Sequence, residues 1–173
     1  MKMSGNSAKS LYMAKGGLLT AIGVILIYVS GIIPVNKAYL LAIASFIIPL
    51  SILITDIKNT FVVYICTSIL SILLCGVKFT VITYILFFGL YGFAKFYIEK
   101  INKIVLEIIL KLLFSNACAA ILFLIYKLFF PGLFNLRFSL YLIIIGLQIA
   151  FILYDYVLTL IINFMDKRLS KKV

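Results

Sequence analysis

Long apolar runs alternate along the chain with short polar breaks. The runs occupy 16–33, 38–55, 60–77, 79–94, 104–130 and 138–165, and charged residues or turn-forming Pro and Asn bound them. A helix rises about 1.5 Å per residue, so about 20 apolar residues cross a hydrocarbon core about 30 Å thick. Membrane-spanning strands would be shorter and would alternate apolar with polar side chains, whereas these runs are apolar on every side. The pattern predicts an all-α polytopic transmembrane bundle of six helices at 16–165, with a leader at 1–15 and a tail at 166–173. The fifth run exceeds one span, so its first part, through Lys111, is expected at the membrane interface, with the span proper starting at Leu112. The sixth is long enough to tilt or to project from the bilayer. Most connections are too short to hold a soluble domain.

Composition strengthens this picture. Of the 173 residues, 65% are hydrophobic and 12% charged, against about 45–50% and about 25% in soluble domains. A small soluble fold could not hide so much apolar surface, so the excess faces lipid. Lysine and arginine total 16 against 5 acidic residues, a net charge of +11. With the N-terminus inside, Lys2, Lys9, Lys15, Lys58, Lys95, Lys100, Lys103, Lys111, Lys167, Arg168, Lys171 and Lys172 fall on the cytoplasmic side, and Lys37, Lys78, Lys127 and Arg137 outside. This twelve-to-four bias places both termini in the cytoplasm of a multi-pass plasma-membrane protein. The basic leader is followed by a run long enough to span and by further spans, so the first run is expected to be a retained helix and not a cleaved signal.

Much chemistry is disfavoured. The basic residues form no stripe interleaved with stacking aromatics, which argues against nucleic acid as a partner. There is no histidine, hence no His-dependent triad and none of the usual zinc ligands. Cys66, Cys75 and Cys118 lie inside apolar runs without a Cys-x-x-Cys motif. No phosphate-binding glycine loop, calcium loop or dinucleotide fingerprint occurs. Asp56, Asp155 and Asp166 show no spacing that singles out a catalytic dyad. The expectation is a protein with no catalytic residues, no metal and no cofactor.

Polar residues inside the runs carry the functional candidates. In the sixth run Tyr141, Gln148, Asp155, Thr159 and Asp166 share a narrow arc at 100° per residue. A carboxylate deep in a span costs about 2.5–3.5 kcal/mol unless paired, hydrated or protonated. Asp155 is therefore either a ligand for a polar substrate or the partner of a buried tyrosine, lysine or backbone group. Tyr64, Thr67, Ser68, Ser71 and Cys75 share a face of the third run, and Ser115, Asn116 and Cys118 lie mid-way along the fifth. These serve as hydrogen-bond contacts between helices or, collectively, line a small polar cavity with the sixth. The substrate-binding candidates are Asp155, Gln148, Tyr141, Asn116 and Ser71. In the first run Gly16, Thr20, Gly23 and Ser30 form a small-residue face, with Gly17 and Ala21 beside it. Such a face packs against the chain's own helices or docks a partner subunit. Lys95, Glu99, Lys103, Glu107 and Lys111 recur every fourth residue with alternating sign, the pattern of a continuous, solvated, charged helix at the cytoplasmic interface.

The architecture resembles the S components, the small substrate-binding subunits of energy-coupling factor vitamin transporters. The likeness rests on length, six helices, cytoplasmic termini and two segments, AKGGLLTAIGVILIY and GIIPVNKAYLLAIASFIIPL. It implies capture of a vitamin-like molecule from outside and toppling of the bundle in the membrane. It further implies docking of a transmembrane coupling subunit on Gly16, Gly17, Thr20, Ala21 and Gly23, with ATP hydrolysis left to partner ATPases. The chain also resembles, over nearly its whole length, a group of short polytopic membrane proteins of low-GC Gram-positive bacteria, which implies a bacterial source but no activity. The other class that fits is a non-transporting membrane scaffold or assembly factor, whose charged ladder recruits a partner.

Overall fold

The computed structural model describes residues 5–33, 37–101, 103–129 and 140–170. Among them there is no strand, and six helices are long and apolar enough to cross a membrane: Lys9–Ile32, Lys37–Ile54, Ile57–Cys75, Phe79–Glu99, Ile104–Phe129 and Ile144–Arg168. The protein is a multi-pass, all-α membrane protein. In hydrocarbon each backbone N–H and C=O must be satisfied within its own segment, which a helix achieves. The chain divides into two compact units, Met1–Phe93 and Ala94–Val173.

The first unit contains α1 (Gly5–Ile32), α2 (Lys37–Ser45), α3 (Ile47–Ile54), α4 (Ile57–Cys75) and α5 (Phe79–Thr83), then a π-helical segment (Tyr84–Gly89) and the start of α6 (Leu90–Glu99). Helices α2 and α3 form one span broken at Phe46. Pro49 is the cause: its ring crowds the carbonyl of Ser45, four residues earlier, and it has no N–H to give. Asp56 caps α4 by accepting the Asn59 N–H at 2.8 Å. Gly76, with φ of +72°, ends that helix in a backbone conformation that side chains disfavour.

Helix α1 packs on α4, α2 and α3 around a core of Leu19, Ile47 and Val63. Its small residues permit the approach. A Cβ on Gly16 would lie 2.8 Å from Asn59 Nδ2, and one on Gly23 would lie 3.1 Å from Thr67 Cγ2 and 3.2 Å from Ile47 Cδ1. The Asn59 amide also donates to the Tyr12 carbonyl at 3.0 Å, tying α4 to α1. Gly17, a third of a turn away, has nothing within 4 Å of its Cβ position. These neighbours should respond oppositely to alanine. Gly16→Ala displaces the Asn59 amide and should cost about 0.5–1.5 kcal/mol, the worth of one hydrogen bond. Gly17→Ala should cost nothing, and thermal unfolding of the two variants in detergent separates them.

The π segment sits where Tyr64 crosses the fourth span. The Tyr64 ring lies against Gly89, where a Cβ would be 2.5 Å from Cε2, and its hydroxyl donates to the Ile85 carbonyl at 3.0 Å. Phe93 meets the same ring edge-on with centroids 5.8 Å apart. Widened helical turns free backbone groups for such outside partners.

The second unit comprises the end of α6, α7 (Ile104–Phe129) and α8 (Leu140–Ser170). The buried positions of α7, Lys111, Ser115 and Cys118, recur at helical spacing and define one inward stripe. On α8 Phe151 and Leu158 are buried, with Asp155 and Thr159 half-buried between and beside them. Ile104, Leu113, Leu128, Phe129, Leu153 and Tyr156 are exposed, as lipid-facing side chains are.

Candidate functional site

The alternating charges of the sequence do not form one solvated helix. Helix α6 ends at Glu99 and α7 begins at Ile104, so the ladder folds back on itself. Lys95 falls on the same stripe of α6 as buried Tyr91 and Ile98, so the helix carries its ammonium inward and leaves the residue 1% exposed. The corresponding side of α7 presents Lys111, also buried. This corrects the expectation of a continuous, solvated charged helix at Lys111, while residues 104–110 are exposed or half-buried. Lys111 is inside α7, two turns from its start.

Asp155 closes the arrangement from α8. Lys95 Nζ donates to Asp155 Oδ1, to the Thr159 hydroxyl at 2.7 Å, and pairs with Glu99 Oε1 at 2.7 Å. Lys111 Nζ bonds Glu99 Oε1 and Asp155 Oδ2, each at 3.0 Å. The Thr159 hydroxyl in turn donates to the Asp155 carbonyl at 2.9 Å. Two ammonium groups and two carboxylates thus form a closed, electrically neutral ring in which every neighbour has opposite sign. All three N–H donors of Lys95 are used, while Lys111 has two acceptors for its three. Glu99 takes both lysines on Oε1, and its Oε2 has no partner among the described residues. Its side chain is also the most open of the four, at 35% exposure.

Of the two roles open to Asp155, pairing with buried lysine is what the geometry contains. Such pairing does not make the ring stabilising. Removing four charges from water costs several kcal/mol per ion, and replacing a buried ion pair with apolar residues is often neutral or stabilising by about 1–4 kcal/mol.

The remaining candidates are dispersed. Gln148 is half-buried on α8, and Asn116 is exposed on α7. Ser71 is fully buried on α4 of the first unit with no hydrogen-bond partner among the described residues. The Tyr141 side chain lies outside the described residues. Thr67 and Ser68 donate to carbonyls of their own helix, at Val63 and Tyr64. Thr60 does bridge, donating to Ser51 of α3 at 2.9 Å. On α1, Gly16, Thr20 and Gly23 are buried within the first unit, and Gly17 and Ala21 are exposed. Lys95, Glu99, Lys111 and Thr159 were not among the binding candidates of the sequence. Their signal was present in part, since an acid within an apolar run, as at Asp155, demands a partner, and lysine was one of those expected.

Among the described residues no group of three or more His, Cys, Asp or Glu converges as metal ligands would. No protein-family model, no curated protein and no solved structure matches this chain.

Proposed function

We propose that this protein is a membrane-embedded subunit of a transporter that binds a small polar molecule at the ring of Lys95, Glu99, Lys111 and Asp155. The neutral buried ring carries this reading: intramembrane charges are costly and mark substrate pathways by default. A ligand that exchanges with one of the internal ion pairs could enter at Glu99, the open corner. The distribution of basic residues favours both termini in the cytoplasm, and the resemblance to proteins of low-GC Gram-positive bacteria implies a bacterial plasma membrane. Setting the paired Lys95 and Lys111 aside still leaves ten against four. Energy would come from partner ATPases through a coupling subunit, as the resemblance to S components implies. On α1, Gly17 and Ala21 are the part of the small-residue face left for that subunit.

Purification in mild detergent from native membranes, without competing ligands, tests the reading by mass spectrometry of bound small molecules and proteins. A stoichiometric small molecule, depleted in Glu99→Gln, together with a coupling subunit and ATPases is expected. If neither ligand nor ATPase accompanies the protein, the scaffold reading replaces it. The pairing of each of the four charges with opposite neighbours in the ring favours that second reading, because a scaffold needs no ligand to neutralise it.

A further inference from the structure

The composition of the ring constrains what it can hold. Two positive and two negative groups sum to zero, so a ligand of either net sign would add an uncompensated charge beside two buried ammonium groups and two partly buried carboxylates. A ligand without charge could not replace any ion pair it displaced. A molecule carrying one cationic and one anionic group satisfies both conditions. Its carboxylate takes the ammonium that a protein carboxylate releases, and its cation takes the carboxylate left behind.

The unfilled positions have the matching polarity. Glu99 Oε2 is a free anionic acceptor among the described residues, and Lys111 keeps one N–H without an acceptor there. Both lie beside the more exposed corner of the ring. A third group stands one turn along α7 on the same stripe as Lys111: Ser115, 2% exposed, whose hydroxyl finds no partner among the described residues. A buried hydroxyl without a bond is costly and is expected to have a partner in the functional state.

Resting on the binding reading above, we infer that the ring takes a small zwitterion, a molecule of the α-amino acid or betaine class. The cation docks on Glu99 Oε2, and the anion docks on Lys111 and the Ser115 hydroxyl. No bond to carbon is made or broken in this exchange.

The test uses the full chain in detergent and a panel of α-amino acids and betaines, each matched with its decarboxylated amine and its deaminated acid. Thermal stabilisation is read against concentration. At least one zwitterion is expected to stabilise saturably, and both its counterparts to bind at least about tenfold more weakly, the effect of one lost charge-assisted bond. Ser115→Ala should weaken that zwitterion about three- to tenfold, as a lost hydrogen bond does, with the unliganded melting temperature retained or raised. Glu99→Gln leaves the ring net positive and should turn its preference toward the deaminated acid. A singly charged or uncharged compound binding as tightly as any zwitterion overturns the ligand class and leaves the binding reading standing. If nothing in the panel binds and no small molecule co-purifies, both fall.

Discussion

Asp155→Leu is expected to destabilise the protein by about 3 kcal/mol, because it leaves a buried ring of two lysines and one glutamate with a net positive charge. Lys95 suffers most. It is 1% exposed and keeps only Glu99 and Thr159 as partners. The decisive comparison is with Lys95→Met/Asp155→Leu, which removes one charge of each sign and leaves the Lys111–Glu99 pair at 3.0 Å intact. That double variant should regain most of the loss, since apolar replacement of a whole ion pair is often neutral. Unfolding midpoints in detergent for the two single variants and the double one form a cycle whose coupling should be at least about 3 kcal/mol. Additive losses would mean that the charges act only as packing volume.

Gly92→Ala should be nearly as damaging, by about 1–3 kcal/mol, for a steric reason. A Cβ there would lie 2.6 Å from Ile48 Cγ2, 2.8 Å from Ile48 Cβ and 3.1 Å from Pro49 Cδ. None of these atoms can swing aside: Ile48 is fully buried and branched at Cβ, and Pro49 is a ring. Relief requires α3 and α6 to move apart. Ile48→Ala in the same background restores little, because the contact with the Cβ of residue 48 survives it. A wild-type melting temperature for Gly92→Ala would mean that the two helices cross with more clearance than these distances give.

The transmembrane architecture was legible because hydrophobicity is a property of each residue, and spans are long enough to average it. The break at Phe46 was harder to see, since Pro49 acts on a carbonyl four residues upstream. The π segment has no compositional mark at all. It coincides with Tyr64 meeting Gly89, a contact between residues far apart in the chain. At the site, Asp155 stood out from its cost alone, yet Lys95 and Lys111 looked like loop charges. Their i,i+4 spacing fits a solvated helix equally well, and only the extension of α6 to Glu99 turns Lys95 inward. The small face of α1 shows the same limit. Gly16 and Gly17 are adjacent and chemically identical, but a rotation of about 100° puts one under Asn59 and leaves the other open.

The order in which the ring's members leave the ribosome bears on membrane insertion. Lys95, Glu99 and Lys111 enter first, and Asp155 follows Lys111 by 44 residues, a delay of about 2–9 s at synthesis rates of about 5–20 residues per second. Throughout that interval Lys95 and Lys111 have only Glu99 of the ring's two carboxylates to share, and Asp155 supplies the second only with the last helix. A chain that terminates before α8 therefore leaves two lysines to share the single carboxylate of Glu99, an imbalance that the finished protein does not carry.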